Sequence, residues 1–242
     1  MTIAEKLLAV DANTERVDAL NKELETTLNG GDTGGTSYYH KFWENYLAEA
    51  KTTGVAALLF GGRGWNADTF NPPYKIDFIK NAYQLFHYSG DIPKEKLAMV
   101  DYSKITTNFN SVFANSRSTE FPRIDTRACD VLNSVFSSSS IVSVEAFILR
   151  DDGSQTLNYA NFASCTALVD LTIEGVVGSN NLQLHWSTKL SKASITSVIN
   201  ALSTSTSGLT VTFSKTAVNN AFTTEEWNAL IATKSNWTIS LM

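Results

Sequence analysis

Leu182-Gln183-Leu184-His185-Trp186, Leu209-Thr210-Val211-Thr212-Phe213 and Trp237-Thr238-Ile239-Ser240-Leu241 decide how this chain reads. Each alternates apolar with polar residues, the mark of a strand with one buried face. They begin at residues 182, 209 and 237, so the pattern returns after 27 and then 28 residues. Helical stretches separate them, from Ser194 to Leu202 and from Thr223 to Ala232. The second opens Thr223-Thr224-Glu225-Glu226, a capping hydroxyl followed by early acids. Strands alternating with helices at this period predict parallel strands joined by crossover helices. Leu184, Val211 and Ile239 are expected to stack as one apolar ladder. The polar alternates Gln183, His185, Thr210, Thr212, Thr238 and Ser240 then share an outer face of amide, imidazole and hydroxyl groups.

The repetition extends upstream. Phenylalanines recur at Phe86, Phe113, Phe136 and Phe162, at intervals of 27, 23 and 26, in the matching contexts Gln84-Leu85-Phe86-His87, Ser111-Val112-Phe113-Ala114, Ser134-Val135-Phe136-Ser137 and Ala160-Asn161-Phe162-Ala163. Two of them lead into related segments, Ile92-Pro93 with Asp101 and Phe121-Pro122-Arg123-Ile124-Asp125-Thr126, and later ones into strand candidates, Val142 to Leu149 and Leu168 to Ile173. A drifting interval with fixed core positions is how stacked repeats accept loop insertions. The 11 residues from Leu171 to Leu182 are too few for a full helical unit. A turn-rich insertion and a local strand pair both fit them.

The chain begins differently. Ile3, Val10, Val17 and Leu24 fall seven apart, a seam that suits a coiled coil. An amphipathic helix packed on its own domain fits too. The Gly-rich Asn29 to Thr36 that follows favours self-association, because it would let the helix stand apart. The organisation expected is a helix over 1–28, a linker over 29–37, an aromatic capping region over 38–75 and repeats over 76–242. A homo-oligomer through residues 3–28, with a trimer as one fitting state, is the expected self-partner.

Chemistry is sparse. Of 242 residues 43% are hydrophobic but only 18% charged, with a net charge of -5 and no basic cluster, which argues against nucleic acid as a partner. The longest apolar run, Val55 to Phe60, is far too short to span a bilayer, and no signal peptide is visible. His40, His87 and His185 fall in no metal-ligand spacing, and no Gly-x-Ser-x-Gly elbow occurs. Phe60-Gly61-Gly62-Arg63-Gly64-Trp65 lacks the ending of a phosphate loop and reads as tight turns. Asp151-Asp152-Gly153-Ser154 lacks the spaced acids of a calcium loop and reads as another turn. Glu225 and Glu226 are read as helix-start charges, not an acid pair. Asn236-Trp237-Thr238 matches a glycosylation sequon on a last strand and is read as incidental. Cys129 and Cys165 could make one bridge at most, and two buried small hydrophobes is the preferred reading. No cofactor, metal or catalytic residue is expected.

A period of 20–29 with a short strand per coil is that of a leucine-rich repeat, so the fold expected is an α/β, leucine-rich-repeat-like solenoid behind an N-terminal helix. The unit Asn161-Phe162-Ala163-Ser164-Cys165-Thr166-Ala167-Leu168 resembles the BspA-like leucine-rich repeats of bacterial surface proteins. The end, from Leu190 to Ile195 and Glu226 to Leu241, looks like the closing coils of such proteins in gut Firmicutes and their prophages. Phe42-Trp43, Gly62-Arg63-Gly64-Trp65 and Phe70 look like the entry module of that prophage-encoded group. The resemblance covers residues 38 to 242. It implies a non-enzymatic recognition or structural protein on a phage tail or a bacterial surface, binding a glycan or protein through its repeat face. A bacterial adhesin and an intracellular interaction scaffold are the alternatives. A cell-envelope hydrolase fits less well, because the titratable groups it needs are few.

Overall fold

Five phenylalanine rings stack face to face in a buried file. Phe60 lies on Phe86 at 5.3 Å, Phe86 on Phe113 at 5.5 Å, Phe113 on Phe136 at 5.3 Å and Phe136 on Phe162 at 5.5 Å between centroids, all within 24° of parallel. All five are fully buried. This computed structural model describes residues 47–242 apart from Asn180. The chain divides into two units, Met1–Glu49 and Ala50–Met242. The heptad segment 3–28, the linker 29–37 and the aromatic block up to residue 46 lie outside the described residues.

The ladder is built by the turns that carry the rings. Leu58 and Gly62, Gln84 and Tyr88, Ser111 and Asn115, and Ser134 and Ser138 bracket four of the phenylalanines, all with positive φ, and Ser164 follows the fifth in the same state. Two left-handed residues around each ring fold the backbone tightly and turn the ring inward. Each turn donates to the next. The N–H groups of Phe60, Phe86, Phe113 and Phe136 reach the carbonyls of Leu85, Val112, Val135 and Asn161 at 2.8–2.9 Å. A second set of rings wedges edge-on between neighbours: Phe70 against Phe60 and Phe86, Phe121 against Phe113 and Phe136, Phe147 against Phe136 and Phe162. Such pairs add about 0.5–1.5 kcal/mol each beyond burial.

The ladder starts one unit earlier than the expected boundary at residue 76. Val55 bridges Asn81 in parallel and Phe60 is its first described ring. Glycine at the left-handed position, Gly62 with φ 92°, is what disguised that unit as a loop.

Beside the rings runs a file of small polar side chains. The buried hydroxyls of Ser89 and Ser116 bond at 2.8 Å, and Ser118 Oγ accepts the Ile92 N–H at 2.9 Å. Cys165 continues the file: its thiol donates to Phe136 O, and Ser187 Oγ donates to Cys165 O, both at 3.0 Å. Cys129 and Cys165 are both free and buried.

The described strands all pair in parallel. Strands β1 (Glu120–Asp125), β3 (Ser143–Ile148) and β5 (Asp170–Glu174) make one sheet, and β2 (Val131–Leu132) pairs β4 (Thr156–Leu157). Strands β6 (Leu182–Leu184), β7 (Leu209–Phe213) and β8 (Trp237–Leu241) make another. After the short helix α1 (Lys94–Leu97), α2 (Lys192–Ala201) joins β6 to β7, while α3 (Lys215–Ala221) and α4 (Thr224–Ala232) join β7 to β8. The expected α/β class with parallel strands is what the chain forms. Helix α3 had no strong sequence signal, being seven residues with two asparagines.

The register corrects one expectation. Leu184 does not stack on Val211. The rows are Leu182–Val211–Ile239 and Leu184–Phe213–Leu241. Leu182 enters the sheet opposite the third residue of β7, so aligning the strands by their first apolar residue is off by two. A shift of two keeps every side chain on its face, so the alternation held while the partners changed.

The short interval before β6 also resolves. On the edge of β5 away from β3 the neighbour is helix α2, not another strand. Ser194 Oγ accepts the Leu171 N–H at 2.8 Å and Ser197 Oγ accepts the Ile173 N–H at 2.9 Å. Serine side chains thus satisfy an open strand edge. Strand β6 packs instead against the 3-10 turn Tyr159–Phe162, on the phenylalanine side. Between them Val177 bridges Leu202, donating to Ala201 O and accepting from Ser203 N, each at 2.8 Å.

Candidate functional site

Alternation on β6, β7 and β8 sets the polar residues opposite the buried Leu182, Leu184, Val211 and Phe213. One row is Gln183, Thr212 and Ser240, with the Thr212 and Ser240 hydroxyls 2.9 Å apart. Thr210 and Thr238 form a second row two residues earlier. Asn181 extends it, its Oδ1 accepting the Thr210 N–H at 2.7 Å. The amide of Asn181 was not anticipated; its sequence signal is that it stands two residues before Gln183, on the same strand parity.

The six expected residues are not equally presented. Thr238 is exposed, while Gln183, Thr210, His185 and Ser240 are half-buried. Thr212 is only 7% exposed, which corrects its placement as an open contact residue. It sits mid-row on the central strand, flanked on both sides by Gln183 and Ser240. His185 stands one residue past the end of β6, its ring 3.7 Å from that of Trp186, with Nδ1 covered and without a protein partner. The two rows thus hold five of the six together, and His185 lies at their end.

The first sheet presents a different face. Glu120 and Arg123 on β1, Glu145 on β3 and Asp170 and Thr172 on β5 are exposed. Arg123 reaches past the middle strand to Glu174, making two bonds of 2.8 and 2.7 Å. That fork holds the Glu174 carboxyl below its usual range. Its sequence signal was a separation of 51 residues, close to two repeats.

Several reactive groups of the described residues are occupied or inert. Burial pushes the Cys165 thiol up to about 11 and also raises Cys129, so neither is a thiolate at neutral pH. Asp152 Oδ1 accepts from Ser154 N and Ser154 Oγ at 2.9 and 2.7 Å, closing a turn around Gly153. Glu226 completes a capping box with Thr223, in keeping with the helix-start reading, and it also pairs with Lys192 at 2.7 Å. The Asn236 amide donates to Ser203 O at 2.9 Å and to Thr206 O. Among the described residues no group of three His, Cys, Asp or Glu could hold a metal ion, and no helix is long and apolar enough to cross a membrane. An open groove of about 620 Å³ between β5 and α2 is lined by Ile173, Gly175, Thr196, Ser197 and Asn200 among others. No ionisable side chain lines it, so it offers no acid or base. Compared with family models, curated proteins and solved structures, the chain matches none of them.

Proposed function

We propose that this chain is a non-enzymatic recognition protein, a leucine-rich-repeat-like solenoid carried on a phage tail or displayed on a bacterial surface. It binds a glycan or protein through the polar face of β6, β7 and β8. The observation that carries this reading is the pair of in-register rows, Gln183–Thr212–Ser240 and Asn181–Thr210–Thr238, hydroxyls and amides with no charged side chain among them. Such groups exchange water for a ligand's hydroxyls or peptide groups without desolvating an ion.

The phenylalanine ladder, the serine file and the parallel registers support a solenoid, in which each repeat is held by its neighbours. The resemblance of residues 38 to 242 to prophage-encoded BspA-like proteins supports the tail or surface setting. The heptad at residues 3–28 supports a homo-oligomer, which would multiply weak contacts into avidity.

The test replaces Gln183, Thr210 and Thr238 together with lysine in the full chain and measures attachment to candidate host cells. At least a tenfold loss of attachment is expected, with far-ultraviolet circular dichroism and melting temperature preserved. Unchanged attachment by a folded variant would remove this face from recognition.

A further inference from the structure

Three of the five arginines among the described residues are neutralised by a carboxylate. Arg123 pairs with Glu174, Arg127 with Asp125 and Arg150 with Asp130, each at 2.7 Å. Arg63 and Arg117 are the other two arginines among the described residues. Neither has a carboxylate within 4.0 Å there. They nevertheless converge on one carbonyl. Arg63 Nη1 donates to Ser89 O at 2.9 Å, and the backbone N–H of Arg117 donates to the same oxygen at 3.1 Å. Desolvation, and after it the charge of Arg117, pulls the Arg63 guanidinium below its usual range. Two arginines are therefore anchored at one carbonyl, Arg63 by its guanidinium and Arg117 by its backbone, and neither side chain pairs with a carboxylate of the described residues.

What surrounds them is aromatic and polar. Arg63 lies 5.8 Å from the Tyr88 ring centroid, and the His87 ring meets Tyr88 edge-on at 4.4 Å. Asn115 Nδ2 is 3.3 Å from His87 Nε2. Tyr88 itself is unusual. It occupies the left-handed position of its turn, φ 57°, where the neighbouring turns use Gly62, Asn115, Ser138 and Ser164. Those small residues serve the backbone at least as well, so the turn gives no reason for tyrosine. Nor does the core, because 48% of Tyr88 faces solvent. A bulky side chain kept in a disfavoured backbone state and left exposed points to a use outside the fold.

We infer that Arg63, Arg117, Tyr88, His87 and Asn115 form a binding site for an anionic sugar, one that carries a carboxylate or a phosphate. The guanidinium groups take the acid through forked hydrogen bonds. The tyrosine ring supplies a flat surface for the sugar's C–H face, and the amide and imidazole reach its hydroxyls. This site shares no residue with the β6–β7–β8 face and stands without the reading made of that face.

Titration calorimetry of the full chain at low salt, with glucuronate, glucose 6-phosphate, glucose and inorganic phosphate as separate probes, tests it. At least one of the two anionic sugars should bind ten or more times tighter than glucose and than inorganic phosphate, and the stronger of the two identifies the acid. Arg63→Gln with Arg117→Gln should abolish that preference. Arg117→Gln alone should weaken it, and leaves the backbone bond to Ser89 in place. Tyr88→Asn, which suits the left-handed backbone, should bring the preferred anionic sugar down to the level of inorganic phosphate. Three results would overturn the proposal: no preference for either anionic sugar, a preference that survives in the folded arginine variants, or inorganic phosphate binding as tightly as the sugars.

Discussion

The phenylalanine-rich part, residues 55 to 169, and the helical part, residues 182 to 242, solve the same stacking problem with different materials. In the first, aromatic rings set the spacing, and tight turns with left-handed residues hold them inward. In the second, mainly aliphatic rows set it, with Phe213 and Trp237 among them, and helices return the chain between strands. The first locks each unit to both neighbours by like side chains. The second is held less evenly. Helix α4 has no buried residue of its own, and its Trp227 meets Phe213 at 6.1 Å from a half-buried position. The lesson is that one period can be kept by either packing, but loss of a single side chain costs more where both neighbours rest on it.

The largest effect should come from the ladder. Phe113→Ala removes a ring that stacks on Phe86 and Phe136 and meets Phe121 edge-on. A loss of about 3–5 kcal/mol is expected on urea unfolding. Trp227→Ala, in the second region, should cost about 1–3 kcal/mol, since that ring is only partly withdrawn from water. Equal losses would erase the distinction between the regions.

The join between the two regions comes next. Ser194 is buried, accepts the Leu171 N–H and donates to Val169 O at 3.0 Å. Ser194→Ala leaves a buried strand-edge N–H without a partner, at a cost of about 1–3 kcal/mol. Ser197 makes a similar bond from a half-buried position, where water can replace it, so Ser197→Ala should cost less. Lys234, in the second region, sends its ammonium to the carbonyls of Asn200 and Leu202 at the end of α2. Lys234→Met keeps the stem but loses those bonds, and about 1–2 kcal/mol should go with them.

The smallest effect is electrostatic and belongs to the first sheet. Arg127 holds the Asp125 carboxyl below its ordinary value and Arg123 does the same for Glu174, chiefly through hydrogen bonds. Both folded-state values are depressed, so their contribution is present above the unfolded carboxylate range near pH 4 and fades as pH falls through the folded values. Urea midpoints at pH 6 and pH 3 should therefore differ slightly less in Arg123→Gln than in the parent protein. An unchanged difference would mean that the exposed fork contributes nothing measurable.

What could be read from the sequence followed from periodicity. The late strands, the two longer helices and four ladder phenylalanines were legible because alternation and period repeat over many residues. Register was not, since a strand's alternation is the same after a shift of two, as Leu182 opposite Val211 illustrates. Phe60 was hidden by the glycines beside it. The serines of α2 were hidden by type, because Ser194 and Ser197 look like solvent residues until a strand edge lies beside them. On the polar face, alternation identified the side but not the burial of Thr212, which depends on its neighbours in the sheet. The Arg123–Glu174 fork and the meeting of Arg63 with Arg117 needed the stacking itself, which brings distant turns together.

Amide hydrogen exchange, resolved by residue on the native protein, tests the central comparison most directly. Each ladder amide, of Phe86, Phe113 and Phe136, donates to the next turn from a fully buried position. These amides should exchange slowest, at rates set by global unfolding. Amides of α4 and β8, from Thr224 to Leu241, should exchange faster by local opening of the last, less buried unit. Slow exchange in α4 and β8 combined with fast exchange at the three phenylalanines would contradict the account.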